Sequence, residues 1–324
     1  MNKSQKEALL HLLALSTLGI ANIDFNNKRF LIRGASGHFG IWSSLSLAFL
    51  AKNGSALKIF CETTRFHQVA SILEPLSLID YVEKAPSNGR YDVVLDFSLP
   101  PLNNATEVDD EFCKKVIAQF KSSIEQTEKD GVMISPSSGA VYGHHRFEPG
   151  IMDEEMAQSA VSRGIYGEMK YLLESLSLQV ASRKLPIYRI FTTFGPLFRP
   201  ESNLVANSLF LNAQKGNPLE LKSKGNKIRN FAFIGELVAQ MIHLSLVESL
   251  DQLTPINLGT KDNLSIRDFT NKVGDIYNLK VKIGLDEESF ESYVPNLSKL
   301  ESYKKFGTIN NFDLYLEQTA KYYG

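Results

Sequence analysis

The stretch from Arg29 to Asn53 constrains this chain more than any other. An apolar run, RFLIR (29–33), leads directly into Gly34-Ala35-Ser36-Gly37-His38-Phe39-Gly40, and a helical pattern, IWSSLSLAFLAKN, follows. Strand, glycine turn and helix in that order open a βαβ unit of a parallel sheet. Glycines at these points permit a tight turn, close backbone approach by a ligand and contact between helix and sheet. The helix start then offers unpaired N–H groups and the positive end of its dipole to a phosphate. A tight turn that binds nothing is the competing explanation of such a cluster.

The next apolar runs recur at crossover spacing: ALKIFCE (56–62), DVVLDFS (92–98), GVMISPS (131–137) and PIYRIFT (186–192). Between two of them, EFCKKVIAQFKSSIEQ (111–126) sets Phe112, Val116, Ile117 and Phe120 on one helical face. This predicts an α/β chain with a doubly wound parallel sheet over residues 1–195. After Gly195-Pro196 the pattern turns to Pro-, Asn- and Gly-rich loops with short helices, so 196–324 reads as a smaller mixed α/β region for substrate. The segment of about 229–258 is expected to return to the first region. No low-complexity linker separates the two, and a shared cleft is the expected ligand site.

Thirty-five basic against 36 acidic residues, without a long like-charge run, exclude the footprint of a nucleic-acid or anionic-membrane binder and leave a small solute as partner. Cys61 and Cys113 make neither a disulfide framework nor a metal-ligand cluster; a reducing, cytoplasmic setting without a metal is expected. The apolar segment 8–21 resembles a signal-peptide core, but Ser4 and Glu7 form an S-x-x-E cap before it and His11 interrupts it. It is read as a soluble N-terminal helix, too short for the about 20 residues a membrane span needs.

Tyr166 and Lys170 stand at i and i+4, on one helical face. An ammonium beside a phenol favours the phenolate and so makes tyrosine a usable acid or base. Earlier in the chain a strand ends in Ser135-Pro136-Ser137-Ser138-Gly139-Ala140-Val141-Tyr142-Gly143, which puts small hydroxyls at the carboxyl edge of the sheet. Ser138 can hydrogen-bond the reacting oxygen there. Glu62, at the end of the second strand, is placed to accept from a ribose and favours NAD, whereas Arg65 could pair with the 2′-phosphate of NADP.

The ordered set GASGHFG, SSGAVYG, YGEMK, RIFTTFGP and GNKIRNFAFIGELV resembles the NAD-dependent epimerase/dehydratase family, the extended short-chain dehydrogenase/reductases that act mainly on sugar nucleotides. The resemblance covers roughly 29–324, with NLGTKDNLSIRDF (257–269) adding coverage. It implies a Rossmann domain, a catalytic set of Ser138, Tyr166 and Lys170, and a homodimer built through helices of the nucleotide-binding domain. The expected cofactor-binding set is Gly34, Ser36, Gly37, His38, Phe39, Gly40, Glu62, Ser98, Tyr166, Lys170 and Phe191, with NAD first and NADP second. The substrate set is Ser138, Thr192 and Arg229, the arginine matching the one that helps hold nucleotide phosphates in the family.

Two positions narrow the reaction. The family's 4,6-dehydratases carry an Asp-Glu pair after the hydroxyl residue, and its decarboxylases tend to keep a glutamate; here Gly139 and Ala140 stand there. Neither carries a proton, which leaves oxidation and re-reduction of a sugar hydroxyl, C4 epimerisation first, or one-way reduction of a keto-sugar or another ketone. Epimerisation beside a ketone would need a further pair, for which Cys113 and His144-His145 are the candidates. A silent nucleotide-binding protein is the non-enzymatic reading. Thr192 in place of an asparagine, Asp96 in place of a histidine, no proline before Tyr166 and no asparagine in 111–126 depart from the family pattern and point to an unusual substrate.

Overall fold

The structure, a computed structural model, describes residues 1–99, 109–147, 150–180, 182–198, 204–247, 254–286, 291–303 and 311–324. Its N-terminal half holds the strands β1 (Lys28–Arg33), β2 (Leu57–Glu62), β3 (Val82–Lys84), β4 (Tyr91–Asp96) and β5 (Thr127–Ile134). All pair in parallel in the order β3-β2-β1-β4-β5. That order reverses direction between β1 and β4, and ligands of doubly wound sheets bind outside the strand ends at such a point. The helices α1 (Lys3–Ser16), α2 (His38–Lys52), α3 (Phe66–Leu73), α4 (Asp110–Gln126), α5 (Met156–Ser159) and α6 (Gly164–Gln179) surround it.

Several boundaries differ from the sequence expectation, each for a local reason. The fourth strand stops at Asp96 rather than Ser98 because Asp96 Oδ1 accepts from both the N–H and the hydroxyl of Ser98, which turns the chain. The run 186–192 divides into β7 (Tyr188–Ile190) and β8 (Thr192–Phe194), and β6 is only Ser137–Ser138. β6, β7 and β11 (Ile256–Leu258) form a second parallel sheet, and β8 leaves it to pair with β10 (Ile228–Phe233). Helix α1 starts earlier than the Ser4–Glu7 cap predicts. Asn2 is the N-cap, its side chain accepting from Gln5 N while the Gln5 side chain accepts from Asn2 N, both at 2.9 Å. Asparagine followed three residues on by glutamine is an equally good reciprocal cap.

The remaining elements are α7 (Val205–Gln214), β9 (Leu219–Ser223), α8 (Ile234–Val247), β12 (Asn263–Ser265), α9 (Ile266–Tyr277), β13 (Val281–Asp286), β14 (Ser292–Tyr293), α10 (Ser298–Ser302) and α11 (Phe312–Tyr323). β10 is central there, antiparallel to β12 and parallel to β14 and β8. One apolar core runs from Leu9, Leu12 and Leu13 of α1 through Trp42 of α2 to Phe233 of β10 and Tyr315 of α11. Phe233 stacks on Tyr315 at 4.3 Å and meets Trp42 edge-on at 5.0 Å. Aromatic pairs of this kind add to the burial of their area. Among the described residues no helix is long and apolar enough to cross a membrane.

Candidate active site

The glycine turn owes its shape to crowding. Gly34 lies at φ +69, where a side chain is strained, and a Cβ on it would sit 2.9 Å from the backbone of Phe97 and Ser98. A Cβ on Gly40 would collide with the Gly34 carbonyl and come within 2.7 Å of Ala35 Cα, so α2 packs on the turn only because residue 40 is glycine. Gly37 is the N-cap of α2 and supplies no side chain to the first N–H groups of the helix. His38 is held by burial at a pKa of about 3 and is therefore neutral; its Nε2 lies 3.0 Å from the Pro196 carbonyl, which Trp42 Nε1 also reaches at 3.0 Å. These two bonds tie the turn to the Gly195-Pro196 loop.

A cavity of about 1030 Å³ opens over this turn, lined by Gly34, Ser36, Gly37, His38, Phe39, Glu62, Thr63, Arg65, Lys84 and Ser98 among others. Glu62 is less free than its position suggests. Arg33 Nε donates to one of its oxygens and Gln126 Nε2 to the other, both at 2.9 Å, while 39% of the side chain stays exposed. Arg33 also bonds Ser123 and lies 3.9 Å from buried Asp96, whose Oδ2 accepts from Ser123 at 2.5 Å. This network fills the end of the sheet behind the cavity.

A second cavity, about 530 Å³, adjoins the first and shares Phe39, Phe97, Leu99, Thr193 and Leu204 with it. Ser138, Tyr166, Lys170, Phe191, Thr192 and Arg229 all line it. Tyr166, Lys170 and Glu174 follow one another at four-residue steps along α6, so one helix face carries all three. Gly167 allows this face to reach the 139–147 segment: a Cβ there would stand 2.6 Å from the Ala140 carbonyl.

Behind the serines, buried Glu174 accepts from Ser137 Oγ at 2.5 Å and from Arg189 through both its oxygens, at 3.0 and 2.8 Å. Arg189 also donates to Glu154 O and to the Tyr142 hydroxyl. A buried ion pair holds together only when its remaining polar atoms are satisfied in this way. Both serines line the cavity, but the Ser137 hydroxyl spends its proton on Glu174, whereas no such carboxylate holds Ser138.

Lys170 is buried, its Nζ donates to the Pro136 carbonyl at 2.6 Å, and burial lowers its pKa to about 8 against the raising effect of Asp96 and Glu174. Its Nζ lies 5.8 Å from the Tyr166 ring centre. Tyr166 is 42% exposed, yet burial raises its phenol above the usual range, opposed by the Ser138 hydroxyl. The sequence expectation of a phenol drawn down by the ammonium is corrected here: burial of the phenol prevails, and the ammonium is turned to the Pro136 carbonyl.

Of the expected cofactor set, Tyr166, Lys170 and Phe191 line the smaller cavity and not the larger one, and Gly40 lines neither because it is packed beneath the turn. Arg229 reaches the smaller cavity already paired, donating to Glu291 at 2.5 Å and to the Ile228 carbonyl at 2.9 Å; Lys227 shares that carboxylate at 3.0 Å. Sequence reasoning missed Arg146, Glu291 and Tyr293 in the same wall. No motif marks them, and chain pairing between β10 and β14 is what brings the last two in.

The sheet order and the glycine turn define a dinucleotide-binding α/β protein with a tyrosine-lysine helix beside the cofactor cleft. The profile of the NAD dependent epimerase/dehydratase family matches residues 79–259, more than half of the chain, and the protein belongs to that family. UDP-glucuronic acid decarboxylase 5 of Arabidopsis thaliana is 25% identical over 130 residues, a match spanning 39% of this chain and 37% of that relative. The fold is also that of UDP-glucuronic acid 4-epimerase from Bacillus cereus, solved with UDP-glucuronic acid and NAD, at TM-score 0.69 and 18% identity over 91% of this chain and 98% of that one. The dTDP-glucose 4,6-dehydratase of Bacillus anthracis, solved with NAD, gives TM-score 0.70 at 15% identity, covering 91% and 96%.

Proposed function

We propose that the protein is a nucleotide-sugar epimerase that oxidises a sugar hydroxyl, C4 first among the candidates, and re-reduces the ketone on the opposite face. One observation carries the reading: Ser138, Tyr166 and Lys170 converge on a cavity continuous with the glycine-turn cleft, beside residues 139 and 140 that hold no acid or base. The likeness to 4-epimerases supports it.

NAD fits the larger cavity. The crowded glycines leave room for a pyrophosphate at the start of α2, and the volume lies at the upper end of the usual range for ligand sites, about 300–1,000 Å³. Gly34, Ser36, Gly37 and Phe39 would hold the phosphates and Glu62 the adenosine ribose, while the nicotinamide end would reach into the adjoining smaller cavity, where Lys170 would hold its ribose. When bound, the nicotinamide supplies the hydride acceptor and donor. Tyr166 removes the hydroxyl proton as the carbon loses hydride, and returns it when hydride comes back. Ser138 hydrogen-bonds the same oxygen in both states. Arg229 would meet the substrate phosphates, with Glu291 sharing or yielding its guanidinium.

A reductase using NADP is the second reading, favoured by the Arg33–Glu62 pair, which offsets the carboxylate that would repel a 2′-phosphate, and by Arg65 and Lys84 in the same cavity. Parallel incubations of the protein with NAD and with added NADPH, each with UDP-, dTDP-, GDP- and CDP-sugars and their 4-keto forms and with products separated by chromatography, decide between them. Isomer formation without net NADH supports the epimerase. Stoichiometric consumption of NADPH with no isomer refutes it.

A further inference from the structure

Tyr293 enters the smaller cavity from β14, more than a hundred residues along the chain from Tyr166 and Lys170. β14 runs parallel to β10 with Tyr293 in register with Arg229. The phenol ring lies 4.8 Å from that of Phe191, and the Arg229 guanidinium carbon is 5.8 Å from its centre. The hydroxyl presses on Gly139: a Cβ on that glycine would stand 2.7 Å from the Tyr293 oxygen and 2.9 Å from Phe191 Cε1. A side chain at 139 would require this phenol and the Phe191 ring to move aside. The missing acid at 139 and the phenol above it are therefore a single feature of the site.

The Ser138 hydroxyl is a polar neighbour of both Tyr166 and Tyr293 and opposes the rise in pKa of each. Burial pushes Tyr293 to about 12, with Tyr166 adding to the rise and Arg146 and Arg229 opposing it. The other charges near it are Lys170 across the cavity and Glu291, which Arg229 and Lys227 hold. Tyr293 thus remains a neutral donor while Tyr166 exchanges protons. A serine hydroxyl has one proton to give and two lone pairs to fill. Ala140 N–H already fills one of them at 3.2 Å; if Tyr293 fills the other, the serine proton is left for the Tyr166 oxygen or the substrate oxygen, and hydrogen bonds in series strengthen one another.

We propose that Tyr293 is a positioning residue of the active site, donating to Ser138 so that this hydroxyl points at Tyr166 and the reacting oxygen, and occupying the space where an acid at 139 would stand. The proposal rests on the hydroxyl-oxidation reading above. It is tested first without substrate, by following phenolate absorbance against pH in the full-length protein and taking the difference from Tyr166→Phe to isolate Tyr166. In Tyr293→Phe the phenolate of Tyr166 loses its relayed donor, and its fraction at a fixed pH below the midpoint falls by about three- to tenfold. Gly139→Ala, which displaces the phenol but keeps its hydroxyl, shifts the titration the same way. An unchanged Tyr166 titration in both variants overturns the proposal, whether or not their melting temperatures fall, because packing alone would move stability and not the titration. With a substrate in hand, Tyr293→Phe lowers kcat about tenfold at nearly constant KM. If no sugar nucleotide turns over, the hydroxyl-oxidation reading fails, and the titration still decides the place of Tyr293.

Discussion

Lys170 carries a charge the fold would rather not bury, and this gives a pH signature belonging to one side chain. Its pKa is lowered from 10.5 to about 8, chiefly by burial. Below pH 8 both folded and unfolded chains hold the proton, and the folded state bears the whole cost of the buried ammonium. Between about 8 and 10.5 the unfolded chain binds more protons than the native one, so the contribution to stability rises with pH, by about 1.4 kcal/mol per unit at most. In Lys170→Met that slope disappears. Denaturant unfolding of both proteins from pH 7 to 10 is expected to give a difference, wild type minus variant, that is flat below pH 8 and climbs above it. A flat difference throughout would mean that Lys170 titrates as it does in water. The residues of the site divide by how they could be read. Tyr166 and Lys170 were legible because one helical turn joins them, and Ser138 because it ends a strand. Glu291 and Tyr293 reach the same cavity through the β10–β14 pairing, whose two-residue strand leaves no period in the sequence. Arg33 was read only as the end of a strand, since nothing local signals that it would pair with Glu62.

At the level of elements, the parallel strands β1, β2, β4 and β5, each with three consecutive apolar residues, were legible, and β3, β9 and β13 were not. β3 holds only Val82–Lys84 with one buried residue, and β9 pairs with β13 through strands whose residues are mostly half-buried or exposed. Long-range pairing fixes such strands, and pattern cannot. The glycine turn is the element whose role follows most directly from sequence, and it makes a sharp prediction. Gly40→Ala forces a methyl against the Gly34 carbonyl and the backbone of Ala35, atoms that cannot rotate away. The start of α2 must then shift off the turn and lose its aim at a bound phosphate. Titration of NAD into the variant, followed by calorimetry, is expected to show affinity reduced by at least about tenfold, with unfolding also easier by about 1–3 kcal/mol as for other overpacked sites. Wild-type NAD affinity in Gly40→Ala would show that the helix start plays no part in holding the cofactor.

Across the whole molecule, the two cavities are neighbours with a common wall rather than separate pockets. Phe39 and Phe97, stacked at 5.7 Å, line both, as do Leu99, Thr193 and Leu204. The wall draws on the glycine turn, the end of β4, β8 and the start of α7, so it is assembled from both halves of the chain. His38 and Trp42 fasten the turn to the Pro196 carbonyl on the far side, and the continuous apolar core from α1 to α11 leaves the halves little freedom to move independently. A dinucleotide in the larger cavity would therefore order side chains that also face the sugar nucleotide, and a ligand that rigidifies a shared wall lowers the cost of binding the next one. Coupling of this kind typically amounts to about 1–3 kcal/mol, or about 5- to 150-fold in affinity, and must be reciprocal. Calorimetric titration of UDP-glucose into protein stripped of cofactor, and again into protein saturated with NAD, is expected to give tighter binding in the second case by at least about fivefold. The converse titration of NAD, with and without the sugar nucleotide, must return the same factor. Equal affinities in both states would mean that Phe39 and Phe97 are already rigid and that each cavity fills on its own.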